Sequence, residues 1–160
     1  MANQYSPLVG RAAPGQCPLG PLASFKALGL VFLPSFFVFV VLDVIWITFI
    51  GKDVYAGLKP ILKESPDPVA ALLSWLCIVL GAYVFVLPRT GGAKPAWHVV
   101  GQGALFGLLL YGTVDLTNCA LVATWGWKVT LVDMAWGTLA SAVLALTQRT
   151  LSSCVPTLGL

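Results

Sequence analysis

Apolar residues fall into four long runs separated by short polar breaks, at residues 28–50, 69–87, 99–124 and 129–147. Each run is close to the roughly 20 residues that an α-helix needs to cross a bilayer. Open strands would leave backbone groups unpaired in lipid, so helices are the spanning elements. The punctuation agrees with this division. Pro34 sits in the first turns of the first run, so the regular helix starts or kinks there. Asp67 is placed to N-cap the second run, with Pro68 at its first helical position, and Pro88 closes it. The third run is long enough to tilt. Trp125-Gly126-Trp127-Lys128 makes a tight hairpin into the fourth, with aromatic residues at the membrane boundary. The pattern predicts an all-α fold, an integral membrane bundle of four transmembrane helices.

This transmembrane domain, residues 28–147, lies between a Pro/Gly-rich N-terminal tail, 1–27, and a short C-terminal tail, 148–160. The first tail holds Pro7, Pro14, Pro18 and Pro21, with Arg11 and Lys26 and no acidic residue. An acid-poor start can serve as a transit peptide, but its prolines oppose the usual amphipathic helix, and a loosely packed tail is the preferred reading. An even number of spans puts both tails on one side of the membrane. Arg11, Lys26, Arg89, Lys94 and Arg149 share that side, and Lys52, Lys59, Lys63 and Lys128 lie on the other. The positive-inside rule then favours cytoplasm-like tails by a small margin.

Composition removes several alternatives. Hydrophobic residues make up 58% of the chain and charged residues 9%, against about 25% charged in a soluble domain. The lipid bilayer is therefore the first partner. A net charge of +3, spread without a Lys/Arg cluster, gives nucleic acid no footprint. The four cysteines, Cys17, Cys77, Cys119 and Cys154, form no Cys-x-x-Cys pair, and His98 is the single histidine. No metal site and no cofactor is expected from so few scattered ligands. Cys77 and Cys119 fall in apolar runs and read as packing residues.

Three carboxyl groups interrupt the apolar runs: Asp43, Asp115 and Asp133. A mid-helix Asp costs about 2.5–3.5 kcal/mol on insertion scales, so such residues face the bundle interior and find partners. Counted along their helices, these three fall with Trp46, Trp75, Trp136 and Asn118 within about 6–14 Å of one membrane face. That is the face bearing the first and third loops, called the loop side below. Asp43-Val-Ile-Trp46 and Asp133-Met-Ala-Trp136 form a short repeat on the first and fourth helices. The two helices run in opposite directions, so each Asp is level with the other motif's Trp. If the helices touch, each indole N–H can donate to the opposite carboxyl group. On the third helix, Gly103, Gly107, Tyr111, Asp115 and Asn118 line one face. Its glycines follow the small-xxx-small pattern of close helix contact. This seam is either packing glue or the wall of a ligand or proton site. Trp97, Trp125 and Trp127 read as interfacial aromatics, and His98 lies at the far membrane edge.

The segments Leu42-Asp43-x-x-Trp46, Tyr111-x-x-x-Asp115-Leu-Thr-Asn118 and Asp133-x-x-Trp136-Gly137 resemble an uncharacterised family of multi-pass membrane proteins, domain of unknown function twenty-one seventy-seven. The resemblance covers about residues 30–146. Val114 stands where that family commonly has an aromatic residue. The resemblance implies a helical membrane fold and no particular activity.

Three functional readings follow. In the first, a pocket near the loop side binds or chemically processes a small amphiphilic or lipid-like ligand. Asp43, Asp115 and Asp133 would supply acid–base chemistry there, and Tyr111, Asn118, Trp46, Trp75 and Trp136 would contact the ligand. In the second, the carboxyl groups carry the coupling ion of a proton- or ion-coupled transporter. In the third, the chain is a structural or accessory subunit. A homo-oligomer or a larger membrane complex is compatible with each.

Overall fold

The computed structural model describes residues 25–91 and 94–154. The tail residues 1–24 and 155–160, including Cys17 and Arg11, lie outside the described residues. Among the described residues four helices are long and apolar enough to cross a membrane: α1 (Phe25–Asp53), α2 (Pro68–Arg89), α3 (Ala96–Leu121) and α4 (Trp127–Ser153). No strand occurs among the described residues. α1 and α4 extend beyond the apolar runs that mark them, because polar residues at their ends continue the same hydrogen-bonded spiral.

Pro34 does not break α1; it stands in the first turn of its regular α-helical part. A π-helical turn, Leu28–Phe32, precedes it, and regular α-helix resumes at Leu33. A wider turn there accommodates a residue that has no N–H and whose ring crowds the preceding carbonyl. The start of α2 follows the sequence expectation. The Asp67 carboxyl accepts from Val69 N at 2.9 Å and Ala70 N at 3.2 Å, with Pro68 inside the first turn.

α4 is the hub of the bundle. Its contact with α3 is the most extensive in the molecule, and α1 and α2 pack on it from other directions. The α3–α4 seam is close because it is built from small residues. A Cβ on Gly103 would come within 2.6 Å of Ala145 Cβ and of the Ser141 carbonyl oxygen. One on Gly107 would collide with the Gly137 carbonyl and the Ser141 side chain. The glycine stripe read from the sequence is therefore a helix contact, as the small-xxx-small pattern requires.

An apolar core joins α1, α2 and α4 around Val31, Phe39, Val79, Tyr83 and Leu144. Gln148 is buried inside it, donating to the Val79 carbonyl at 3.2 Å and to Ser35 Oγ at 3.4 Å. Large apolar side chains on the outer surfaces, such as Phe37, Phe49, Leu109, Leu121 and Leu139, are exposed as lipid-facing positions require. By contrast, α2 meets α3 chiefly through its Ala82–Val86 turn. Toward the loop side the two helices part, and this separation positions the site.

Candidate functional site

Asp43 is the most fully bonded of the three carboxyl groups. Its Oδ2 accepts from the Trp75 indole of α2 at 2.7 Å, and its Oδ1 accepts from the Trp136 indole of α4 at 3.0 Å. One buried carboxyl thus ties three helices, and each oxygen has an N–H donor. The Trp136–Asp43 bond is the one the Asp-x-x-Trp repeat predicts.

The mirror-image bond is not direct. Trp46 Nε1 donates instead to the Tyr55 hydroxyl at 3.1 Å, and that hydroxyl donates to Asp133 Oδ1. Tyr55 is inserted between the two because the chain turns back immediately after α1. Near the end of α1, the Trp46–Ile50 turn is π-helical and leads through a 3₁₀ turn at Gly51–Asp53 into another at Tyr55–Leu58. Gly51 is required by this arrangement. A Cβ there would meet the Tyr55 ring at 2.7 Å and Trp46 Nε1 at 3.1 Å. Tyr55 lies beyond the membrane-spanning helix. Burial, and then its bond to Asp133, hold its phenol well above the ordinary range, so it remains a neutral donor.

Asp115 differs from both. It is 1% exposed, and neither carboxyl oxygen has an N–H or hydroxyl donor among the described residues. Helix α3 holds it one turn beyond Tyr111, beside the carboxyl group of Asp133 and close enough for one proton to be shared between the two. On its own helix the polar seam gives Asp115 only Tyr111 and Asn118 as neighbours. The α3–α4 contact places Asp133 beside it, since the glycines below let the two helices approach. None of the three carboxyl groups forms an ion pair with a Lys or Arg among the described residues.

Two cavities meet at this cluster. The first is a cleft of about 460 Å³ between α2 and α3. Ser74, Cys77 and Gly81 form one side and Phe106, Leu110 and Val114 the other, with Tyr111, Asp115 and Asp133 at its polar end. Ser74, Cys77, Phe85 and Val114 are exposed, so the cleft opens on the lipid-facing surface of the bundle. The second cavity, of about 400 Å³, lies toward the loops and is lined by Asp43, Trp46, Tyr55, Tyr111, Trp125 and Asp133. Tyr111 and Asp133 belong to both and stand between them. Tyr111 is seated on Gly137, where any Cβ would overlap its ring.

Of the residues singled out in the sequence, Asp43, Trp46, Trp75, Tyr111, Asp115, Asp133 and Trp136 come together here. Asn118 does not line either cavity, and its side chain makes no hydrogen bond among the described residues. It lies half-buried, one turn further along α3. Cys77 is exposed and lines the cleft instead of packing in the core. Trp125, read as an interfacial aromatic, lines the loop-side cavity with its indole N–H buried and without a partner among the described residues. Tyr55 carried no signal as part of a polar loop. The available clue was its place four residues after Gly51, which stacks the two if the helical spiral continues.

Comparison with known families agrees with this architecture. No curated protein and no solved structure matches the chain. A family described as predicted membrane protein (DUF2177) matches residues 28–149, which takes in α2, α3, nearly all of α1 and α4, and every carboxyl group of the cluster. The chain belongs to this family, as a multi-pass membrane protein of four helices.

Proposed function

We propose that the protein takes a small amphiphilic or lipid-like molecule from the bilayer into the α2–α3 cleft, and binds or chemically processes its polar group at Asp115 and Asp133. The observation that carries this reading is Asp115: 1% exposed, with no N–H or hydroxyl donor on either oxygen and a second carboxyl group beside it, at the polar end of a cleft with apolar walls. A carboxyl group serving only as packing glue would be bonded, as Asp43 is. Leaving an acceptor unmatched in lipid costs about 1–3 kcal/mol, more for a charged group, so a ligand donor or a transferred proton is the natural complement. Phe106, Leu110 and Val114 would lie along the apolar part of the molecule. Asp133, Tyr111 and Asp115 would meet its polar end, within reach for general acid–base work.

Photolabelling tests this in nanodiscs, with a long-chain alcohol carrying a diazirine near its hydroxyl end. Label is expected to concentrate on the peptides holding Ser74–Phe85 and Phe106–Val114. Leu110→Trp and Val114→Trp, which fill the cleft from its lipid-facing side, are each expected to abolish the excess. Labelling spread evenly over outward positions such as Leu109 and Leu139, and unchanged in both variants, would remove the cleft as a binding site.

A further inference from the structure

We propose that the loop-side cavity is a second site, one that binds an organic ammonium group. It is bounded by the rings of Trp46, Tyr55, Tyr111 and Trp125 and by the carboxyl groups of Asp43 and Asp133. Aromatic faces attract a cation through the ring quadrupole, and the attraction grows when the site is desolvated. The carboxyl groups add acceptors and, where ionised, the matching charge, with Asp115 on the same cluster beside Tyr111. Among the described residues no basic side chain neutralises any of them. Lys52 reaches the cavity rim, but it forms no ion pair there. A cavity of about 400 Å³ falls within the roughly 300–1,000 Å³ of small-molecule sites.

A further observation narrows the ligand. Trp125 lines this cavity, and its indole N–H is buried with no hydrogen-bond partner among the described residues. An indole N–H donates and cannot accept. It therefore calls for an oxygen acceptor on the same ligand, close to the cationic centre. The class is an ammonium bearing a hydroxyl or carbonyl oxygen, either free in water or as the head of an amphiphile. The cavity faces the loops, with exposed Lys52 and Leu62 at its mouth, so a water-soluble ligand can enter without using the α2–α3 cleft. The inference therefore stands apart from the cleft reading, and only its long-chain form rests on it.

Titration calorimetry of the full chain in nanodiscs of uncharged net composition, with protein-free nanodiscs as blank, tests the proposal. The probes are choline, tetramethylammonium and 3,3-dimethylbutan-1-ol, which has choline's shape without its charge. Saturable choline binding is expected, with the neutral alcohol weaker by about tenfold or more. Trp125→Phe keeps a ring face but removes the N–H, so it should weaken choline and leave tetramethylammonium unchanged. Lys52→Gln, at an exposed position, should tighten both cations. Equal binding of the neutral alcohol, or saturable binding of acetate or inorganic phosphate in place of choline, would overturn the assignment. So would choline binding indifferent to both variants. Hexadecyltrimethylammonium at low mole fraction identifies the source. Tighter binding than tetramethylammonium, lost in Leu110→Trp, means that the ammonium is an amphiphile's head seated across both cavities. No such gain means that it arrives from water, and the cleft reading is then judged by its photolabelling alone.

Discussion

The indoles of Trp46 and Trp136 lie face to face, with ring centroids 4.6 Å apart and planes 2° from parallel. They come from the same Asp-x-x-Trp motif on α1 and α4. Antiparallel packing brings the two motifs level, and each tryptophan then points its N–H away from the stack. Trp136 reaches Asp43, and Trp46 reaches Tyr55 and through it Asp133. The stack contributes about 0.5–1.5 kcal/mol beyond its buried area. The hydrogen bonds fix the rotation of the two helices about their axes. Trp136→Phe keeps the stack and removes one bond to Asp43. It is expected to destabilise the bundle by about 1–3 kcal/mol, read as a lower melting temperature in detergent. Trp75→Phe should cost a similar amount. In an Asp43→Leu background both substitutions should have little further effect, and unchanged costs in that background would mean that the indoles stabilise by packing alone.

The α3–α4 seam is expected to be intolerant of bulk. Gly103→Leu and Gly107→Leu place side chains where backbone and Ser141 already stand. Leu108→Ala removes a side chain that is 43% exposed on the outer surface. The two glycine variants should accumulate poorly or melt well below the parent, while Leu108→Ala stays close to it. Gly137→Ala is a sharper case, since the new methyl group overlaps the Tyr111 ring. It should move Tyr111 from between the two cavities and alter binding in both, even where the protein still folds. Normal melting and normal binding in Gly137→Ala would show that Tyr111 has freedom that the close contact denies it.

Tyr55 gives the protein an alkaline limit. Its phenol is held above the ordinary value near 10 by burial first, then by its bond to Asp133, with Asp115 adding to the same effect and Trp46 opposing it. In the unfolded chain the phenol ionises near pH 10, whereas in the folded protein it stays neutral. Its contribution is therefore complete below about pH 10 and declines as pH rises further. Melting temperatures between pH 8 and 11 should fall more steeply for the parent than for Tyr55→Phe, which lacks the titrating hydroxyl. Parallel curves would mean that Tyr55 ionises as easily in the folded protein as in the unfolded one.

The spans were legible because lipid imposes a long one-sided requirement on sequence. Four apolar runs with Pro and Asp at their ends admit few alternatives, and Asp67 and Pro68 begin α2 as read. The polar cluster was legible in part, since charged residues in apolar runs announce themselves and helical rise converts residue counts into depth. Contacts made by irregular backbone were not legible. Tyr55 enters through a π turn and a 3₁₀ turn that no hydrophobic period encodes, and it replaced the expected Trp46–Asp133 bond with a relay. Gln148 reads as the start of a tail because a polar residue ends the apolar run, yet α4 continues and buries it against Ser35 and Val79. The facing of Asp115 and Asp133 depends on how closely α3 and α4 approach. The glycine stripe predicted that approach without revealing which side chains it would bring level.

Asp115 separates a ligand site from packing glue. Asp43 has a donor on each oxygen, so Asp43→Asn turns one acceptor into an NH₂ group that faces an indole N–H. That donor–donor pairing should lower the melting temperature. Asp115 has no such bonds to lose. Asp115→Asn keeps its shape and gives it an NH₂ group that can donate toward the Asp133 carboxyl group, while removing one of two facing acids. It also replaces an ionisable group in a membrane helix by a neutral amide, which costs less to desolvate than a charged carboxylate. The variant should therefore accumulate normally and melt at or above the parent temperature. Its photolabelling by the long-chain alcohol in the α2–α3 cleft should fall to the level of lipid-facing positions, because the acceptor for the hydroxyl is weakened and in part engaged by Asp133. A stable Asp115→Asn protein that still labels in the cleft as the parent does would count against charge-dependent binding or acid–base work at this carboxyl group. The cluster would then be a means of holding four helices in register, and the chain's role would be sought in what its outer surfaces assemble with.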